Sequence, residues 1–449
     1  MWVATSDLPK SPGHPFYQRL NAVLDEAGFD SFAERVCARF YAGQVGRPSL
    51  LPGRYFRMLL LGYFEGLDSE RGIAWRAADS LAIRSFLALG AEERGPDHST
   101  ISRTRRLIDV EAHREVFAWV LERLAQAGLV KGATILVDGT TLEANAAMRS
   151  IVRRDTGEKY EEYLTGLAKA SGIRTPTRAV LARLDRRRAK KGSNEEWKSP
   201  SDPDAKITKM KDGRTHMAHK AEHAVDADSG AIVALTVQDA SIGDTGTIME
   251  TLAEAEGQLL KLRREGLAED LQEVVGDKGY HSDDVLVGLE EVGLRSYISE
   301  PARGRRRWRG QIKAQRAVYA NRRRARGERA QRLQRRRGER VERSFAHMYE
   351  TGGMRRTHLR GHSNILKRLL VHAGAFNLGR LLRETVGIGT PRSLQGRSVG
   401  LLTLLLSLYR VLRPRSIAPG RPRVHLVRRA SPPTLALAAP QARPSTTGC

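Results

Sequence analysis

Two aspartates in this sequence each follow a short, mainly apolar run, and their positions point to metal-dependent chemistry. Asp138 follows the run 133–137, and Asp277 follows the run 273–276. Short runs without polar alternation are typical of strands buried on both faces of an α/β sheet. Because such sheets bind ligands beyond the carboxyl ends of their strands, we expect both strands to end at their aspartates and to present two carboxylates there. Carboxylates suit Mg²⁺, so the pattern predicts a divalent-metal site.

A third carboxylate is needed, because two divalent cations about 3.5–4 Å apart require at least one further oxygen ligand. Glu342 is the candidate. It follows an arginine-rich segment, and Val341 and Phe345 beside it have the spacing of residues one helical turn apart. A helix packed on the sheet through these two apolar residues would hold Glu342 beside the contact. Glu339 competes for the same role.

The composition favours nucleic acid as the partner. The chain of 449 residues carries a formal net charge of +25, and its pI is about 10.5, which favours polyanions. No apolar run approaches the ~18 residues expected of a membrane span, and we find no secretion signal. The two cysteines, Cys37 and Cys449, form neither a disulfide framework nor a zinc motif. We therefore expect a cytoplasmic, nucleoid-associated protein with no membrane partner.

The pattern of residues 1–130 predicts a helical, DNA-binding domain. Within it, the segment 97–107 reads as a capped helix whose first turns carry serine, threonine and arginine side chains. Hydroxyl and guanidinium groups near the amino end of a helix are suited to phosphates and base edges. This predicts DNA contacts from Ser99, Arg103, Arg105 and Arg106. An ordinary capped surface helix is the alternative interpretation.

Residues 131–385 are predicted to form one mixed α/β domain. After the strand that leads to Asp138, the pattern gives a hairpin over 219–238, a helix over 248–262, a strand over 273–277, a helix over 282–292, a strand over 294–299 and a final helix over 365–382. The charged segment at about 146–215 is long for a connection, so we expect a partly helical insertion. Residues 386–449 lack a sustained period, which predicts a disordered tail.

In combination these segments resemble a DDE transposase of the insertion-sequence type. The resemblance is carried by Leu136-Val-Asp138-Gly-Thr, by Gly276-Asp277-Lys-Gly-Tyr280-His-Ser, and by Arg335-Arg-Arg with Val341-Glu342-Arg-Ser-Phe345. The helical segment from Leu50 to Leu107 is similar to the amino-terminal domain of that group. The resemblance implies a ribonuclease-H-like catalytic domain in which Asp138, Asp277 and Glu342 bind Mg²⁺, with Mn²⁺ able to substitute.

The resemblance also implies the reaction and its partners. A transposase of this kind cuts double-stranded DNA at the ends of an insertion element and joins those ends to target DNA by metal-dependent phosphoryl transfer. Synapsis of two ends implies a homodimer. The sequence lacks a Gly-x-x-x-x-Gly-Lys-Ser/Thr phosphate loop, so no nucleotide cofactor is expected.

The sequence departs from the family pattern at two positions near the third carboxylate. Gln334 and Arg335 stand where many members have a tyrosine, and Tyr349 stands where many have a lysine. The arginine-rich approach to the glutamate is kept, which implies DNA contacts from Arg335, Arg336 and Arg337. The phosphate contact of the missing lysine is then expected from Arg343 or Arg355.

Two other functions compete with transposition. One is a DNA-binding remnant of a transposable element that has lost catalysis. The other is a structure-selective nuclease on the same fold, which would cut DNA without joining strands. The intact set of Asp138, Asp277 and Glu342 argues against the first alternative.

Overall fold

The computed structural model describes residues 13–41, 50–90, 92–188, 192–210, 212–302, 304 and 306–394. The chain divides into a compact unit over Met1–Gly396 and a second unit over Arg397–Cys449. The second unit lies outside the described residues. Residues 386–449 are predicted to be disordered, and of these residues 395–449 lie outside the described part of the chain.

The amino-terminal part of the described chain is helical, as predicted. Its helices are α1 Pro15–Glu26, α2 Phe29–Cys37, α3 Pro52–Glu65, α4 Glu70–Asp79, α5 Leu81–Phe86, α6 His98–Leu107 and α7 Val110–Gln126. Polar side chains begin several of them: Asp97 accepts a hydrogen bond from the Thr100 N–H at 2.9 Å, and Asp109 accepts one from the Ala112 N–H at 2.8 Å. Helix α3 is buried along most of its length, which explains why it is apolar on all sides.

The rest of the described chain is a mixed sheet with helices on both faces. The strands are β1 Thr134–Glu143, β2 Val152–Arg153, β3 Trp197–Lys198, β4 Lys206–Lys209, β5 Thr215–Asp226, β6 Ile232–Asp239, β7 Glu273–Gly276 and β8 Arg295–Ile298. Strands β2 and β3 form a separate two-stranded sheet. The helices are α8 Tyr160–Ala170, α9 Arg178–Arg187, α10 Ile248–Arg264, α11 Asp283–Glu291, α12 Ile312–Ala325, α13 Glu328–Ala346 and α14 His362–Val386.

The main sheet has the strand order β6-β5-β1-β7-β8, with the short β4 also paired to the start of β5. Strands β6, β5 and β1 pair antiparallel, whereas β1, β7 and β8 pair parallel. Three antiparallel strands followed by two parallel ones is the ribonuclease-H-like arrangement. The predicted fold class, an α/β mixed sheet with an all-helical amino-terminal region, is therefore confirmed.

Helices α10 and α13 cover opposite faces of this sheet. Glu222 contacts Thr251 of α10, and the next residue, His223, contacts Ser344 of α13. Successive side chains of a strand point to opposite faces, so the two contacts define an α10 face and an α13 face. Asp138 pairs with His223 in the register of β1 and β5 and belongs to the α13 face.

The charged segment between β1 and β5 is partly helical. Helices α8 and α9 pack on each other through a small apolar cluster of Leu164, Ala168 and Leu181. A second cluster, which includes Trp197, Ile207 and Met217, joins the insertion to the sheet. The insertion is therefore anchored beside the end of β1.

Helix α14 links the helical region to the sheet. It packs on α3 and α7 on one side and on β6 on the other, so a single hydrophobic core runs through both parts. Secondary structure changes between Gln126 and Thr134, close to the predicted boundary at residue 130. The division into domains 1–130 and 131–385 stays a prediction. Among the described residues, no helix has the length and apolarity that a membrane crossing requires.

Two buried asparagines cover the edges of the sheet. Asn377 of α14 accepts a hydrogen bond from the Ile232 N–H at 3.0 Å and donates one to the Ile232 carbonyl at 2.8 Å. Asn321 of α12 does the same to Ile298, at 3.1 and 2.8 Å. Each amide takes the place of a neighbouring strand at one residue, so the N–H and carbonyl of Ile232 and of Ile298 are satisfied inside the protein.

Replacing Asn377 by alanine is expected to lower the free energy of unfolding by about 2–4 kcal/mol, because the N–H and carbonyl of Ile232 would both lose their partner in a buried site. Asn364→Ala on the same helix is the control, since its amide bonds only the Arg360 carbonyl at 3.0 Å on the surface. Urea unfolding of both variants checks the prediction. Equal losses in the two variants would contradict the edge-covering role.

Candidate active site

Asp138 lies in the middle of β1, not at the end of the strand as the sequence predicted. The strand continues to Glu143 because Thr140, Thr141 and Leu142 remain paired with β5. One carboxylate oxygen of Asp138 accepts a hydrogen bond from the Gly139 N–H at 2.9 Å. The other is bonded to the guanidinium of Arg337 on α13. Helix α13 therefore packs directly over this carboxylate.

Asp277 comes directly after β7, as predicted, and begins a short 3₁₀ turn over Lys278–Tyr280. Its carboxylate accepts a hydrogen bond from the Gly279 N–H. Leu136 pairs with Val275 across β1 and β7, and each aspartate lies two residues beyond this pair. Because the two strands are parallel neighbours, the register brings Asp138 and Asp277 side by side.

A third aspartate, Asp244, joins this pair and was missed from the sequence. It lies in the loop between β6 and α10. A Cβ on Gly279 would be 2.5 Å from an Asp244 oxygen and 2.9 Å from an Asp277 oxygen, so both carboxylates flank this glycine. The sequence around Asp244, Gly-Asp-Thr-Gly, reads as turn chemistry, and no local signal marks it as part of the site.

The carboxylates influence one another electrostatically. Burial raises the pKa of Asp138 above its usual value, and the negative charges of Asp277 and Asp244 raise it further, whereas Arg337 opposes the shift. Burial is the largest cause, so the charged form of Asp138 is disfavoured even with an arginine beside it. A cation bound between the carboxylates would relieve this repulsion.

Glu342 is on α13, as predicted, but its side chain is exposed and does not reach Asp138. The α13 side chain that contacts the Asp138 carboxylate is Arg337. Over the described ranges, which leave gaps such as 189–191, no set of three His, Cys, Asp or Glu side chains is arranged as a metal site. The structure therefore brings together Asp138 and Asp277 but leaves the predicted third ligand outside the pair.

Glu342 lies at the margin of the side of α13 that faces the sheet. It is eight residues after Gln334, which places it about 80° farther around the helix. Gln334 donates to the Gly276 carbonyl at 2.9 Å, directly before Asp277. Beyond the end of α13, Tyr349 lies in the π-helical turn His347–Thr351 and bonds Thr140 at 2.6 Å, two residues after Asp138. Glu342 is thus on the Gln334 side of the helix, with its side chain exposed.

Glu339, the competing candidate, is on a different flank. It is three residues after Arg336, whose guanidinium bonds Asp228 in the β5–β6 turn at 2.8 Å. It also accepts a hydrogen bond from Arg343 at 3.1 Å. The β5–β6 turn lies at the start of β1, where Ile135 pairs with Asp226, whereas Gln334 bonds beside Asp277. The geometry therefore favours Glu342 over Glu339.

Two known domain families match this chain. The family described as "Transposase DDE domain" matches residues 131–378, which is more than half of the chain. The chain belongs to this transposase family. The "Transposase domain (DUF772)" matches residues 6–107, over the helical region. The chain is therefore a DDE-type transposase, an enzyme of DNA transposition.

Comparison with solved structures finds two other transposases. A piggyBac transposase synaptic complex with hairpin DNA is 9% identical, with a TM-score of 0.32, and the match covers 86% of this chain and 82% of that chain. The Mos1 mariner paired end complex with Mn is 10% identical, with a TM-score of 0.19, and the match covers 75% of this chain and 92% of that chain. No curated protein matches the sequence.

The donor set of this transposase fits the divalent metals that DDE enzymes use. The side chains around Asp138 offer carboxylate oxygens from Asp277 and Asp244, and hard divalent cations prefer oxygen ligands. The charges of Asp277 and Asp244 add to burial in raising the pKa of Asp138, so like charges lie close together at this position. Both observations favour binding of a divalent cation.

Tyr349, at the position where many family members have a lysine, is turned into the protein. Its hydroxyl bonds Thr140 and also donates to the Thr141 carbonyl at 3.2 Å. Burial raises the pKa of Tyr349 to about 12, so the phenol stays neutral. Arg355 is exposed and close enough to lower that pKa in part. Arg355 therefore lies near the part of β1 just beyond Asp138, where a phosphate contact is expected.

Only some of the arginine side chains of α6, the predicted recognition helix, are exposed. Arg103 and Arg106 are exposed, and Arg103 donates to the Ser99 hydroxyl at 3.1 Å. Arg105 is buried and forms an ion pair with Glu70 of α4. Arg105 holds α6 against α4, so the predicted DNA contacts of this helix are restricted to Ser99, Arg103 and Arg106.

Proposed function

We propose that this transposase binds divalent ions, Mg²⁺ with Mn²⁺ able to substitute, through Asp138, Asp277 and Glu342. With them it cuts the ends of an insertion element and joins these ends to target DNA. The observation that carries the proposal is the side-by-side placement of Asp138 and Asp277 on parallel strands, with the pKa of Asp138 raised. Glu342 is the proposed third ligand because it is on the same side of α13 as Gln334, which bonds the carbonyl directly before Asp277.

The proposed chemistry is in-line phosphoryl transfer. Divalent ions at such a site lower the pKa of the attacking hydroxyl and stabilise the leaving oxygen. In the first step a water oxygen replaces the 3′ oxygen at a backbone phosphorus and frees a 3′-hydroxyl. In the second, that hydroxyl attacks a target phosphorus and displaces its 3′ oxygen. Asp138 and Asp277 fix the position of this reaction, and no protein side chain forms a covalent bond to DNA.

Arg337 has a specific part in this proposal. It is bonded to Asp138, so its guanidinium compensates part of the negative charge of the site. A metal-binding role for Asp138 requires this arginine to release the carboxylate. Arg337 and Glu342 are on the same helix but about 140° apart around it, so the release of Arg337 and the approach of Glu342 are separate side-chain movements.

The proposed partner is double-stranded DNA, at the element ends and at the target. Exposed basic side chains lie in two places: on α6, with Ser99 beside them, and on or after α13. The candidates for phosphate contacts are Arg103, Arg106, Arg335, Arg336, Arg343 and Arg355. Arg337, a DNA contact in the sequence prediction, is left out because it is paired with Asp138, as Arg105 is with Glu70. A homodimer would hold the two ends together. The net charge of +25 supports a cytoplasmic, nucleoid-associated enzyme.

A strand-transfer assay tests the proposal. Purified protein, a mini-transposon with its native flanking ends, a target plasmid and Mg²⁺ are expected to give end cleavage and joined products, and EDTA is expected to abolish both. Nicking of plasmid without recognition of defined ends would instead indicate a nuclease. DNA binding without cleavage in either metal would indicate an inactive remnant.

A further inference from the structure

A buried charged cluster lies directly beneath the two aspartates, on the α10 face of the sheet. At its centre Glu222 is fully buried. Its carboxylate accepts hydrogen bonds from the Thr247 hydroxyl, from the Thr251 hydroxyl at 2.7 Å and from the Tyr280 hydroxyl at 3.1 Å. Such a carboxylate is costly to bury unless its charge is balanced.

Lys220, two residues earlier on the same face of β5, supplies that balance. Its ammonium group is 3.0 Å from a Glu222 oxygen and 2.7 Å from an Asp244 oxygen, and it donates to the Thr247 hydroxyl at 2.8 Å. One buried lysine therefore joins Glu222 to the loop that carries Asp244.

The cluster also reaches the turn that carries Asp277. Tyr280 is three residues after Asp277, in the same 3₁₀ turn, and its hydroxyl donates to Glu222. Burial and the charge of Glu222 raise the pKa of Tyr280, so the phenol keeps the proton it donates. Asp244 packs against Gly279 within that turn. The turn is thus held at two points by the cluster.

The same cluster supports the strand that carries Asp138. A Cβ on Gly139 would be 3.1 Å from the Lys220 side chain, 3.3 Å from that of Glu222 and 3.4 Å from the Tyr280 hydroxyl. The cluster therefore fills the space below the residue next to Asp138. The cluster contacts both the strand that carries Asp138 and the turn that carries Asp277. These contacts distinguish it from an ordinary buried ion pair.

We propose that Tyr280, Glu222, Lys220 and Asp244 form a positioning network that sets the separation of the Asp138 and Asp277 carboxylates, and hence the affinity of the site for divalent metal. The inference rests on the proposed function. Tyr280 is the key link, because its single hydroxyl connects the Asp277 turn to the rest of the network. Metal sites commonly depend on such supporting hydrogen bonds.

Tyr280→Phe and Thr251→Val provide a matched pair for the test. Each removes one hydroxyl that donates to Glu222, but Thr251 is on α10 and does not touch the Asp277 turn. Electron paramagnetic resonance measures Mn²⁺ binding to the DNA-free protein. We expect the affinity for Mn²⁺ to be about 10-fold weaker in Tyr280→Phe than in wild type. In Thr251→Val it is expected to match wild type. Saturating Mn²⁺ should restore most of the cleavage rate of Tyr280→Phe.

The comparison also separates this inference from the proposed function. Asp277→Asn, measured in the same titration, is expected to abolish the Mn²⁺ signal. If Asp277→Asn binds Mn²⁺ normally, the proposed metal site is wrong. If Asp277→Asn loses binding while Tyr280→Phe and Thr251→Val retain it equally, the metal site stands and the positioning network is overturned. Equal weakening in both hydroxyl variants would likewise overturn it, because the effect would come from general loosening around Glu222.

Discussion

Asp138→Asn is expected to lower the rates of end cleavage and strand joining by about 10³-fold or more, with little change in DNA affinity. An amide at this position can neither carry the negative charge nor offer the two oxygens that a divalent cation requires. DNA affinity should persist because it depends on arginines elsewhere on the surface. The strand-transfer assay and a filter-binding titration measure the two effects separately.

The same substitution is expected to remove metal-dependent stability. Mg²⁺ at 100 times its dissociation constant stabilises a native protein by about 2.7 kcal/mol, and the Asn variant should show no such gain. In the metal-free protein the pKa of Asp138 is higher in the folded state than in the unfolded state, so ionisation of Asp138 lowers the free energy of unfolding at pH values above the folded-state pKa. This loss of stability disappears as the pH falls below the usual pKa of 3.8. Metal-free Asp138→Asn should therefore be at least as stable as wild type at pH 7.

Asp228→Asn is the control for this prediction. Asp228 is an exposed aspartate that pairs with Arg336 near the start of β1. It should keep both the activity and the Mg²⁺ stabilisation. A wild-type rate in Asp138→Asn would contradict the assignment of Asp138 as a metal ligand.

Glu342→Gln is expected to have an effect of the same size, about a 10³-fold loss of cleavage, even though its side chain is exposed in this structure. The reason is geometric: Glu342 is on the same side of α13 as Gln334, which bonds the carbonyl directly before Asp277. Glu339→Gln removes the same charge from the other flank and should retain most activity. Single-turnover cleavage rates of the two variants decide between them.

A large loss of activity in Glu339→Gln with normal activity in Glu342→Gln would reverse this assignment.

Arg337→Gln adds a further check on the role of α13. It removes the cation that opposes the raised pKa of Asp138, so that pKa should rise further. If the pH midpoint of activity were lower in Arg337→Gln than in wild type, the ion pair with Arg337 could not be what holds the pKa of Asp138 down.

The sequence by itself determined the elements that carry the chemistry. Apolar runs before Asp138 and Asp277 predict buried strands, and the structure forms β1 and β7 there. The spacing of Val341 and Phe345 predicts a helix that packs through them, and α13 does so. These features follow from local periodicity, because side chains repeat every two residues in a strand and every 3.6 in a helix.

Only the tertiary structure decided which side chains meet. Arg337 pairs with Asp138 across nearly 200 positions of chain, and Lys220 joins Glu222 to Asp244. Arg105, which reads as a DNA contact, turns inward to Glu70. Such pairs depend on strand register, on helix rotation and on the need of every buried charge for a partner. Periodicity predicts the face of an element, but the partner on that face is set by the packing of distant segments.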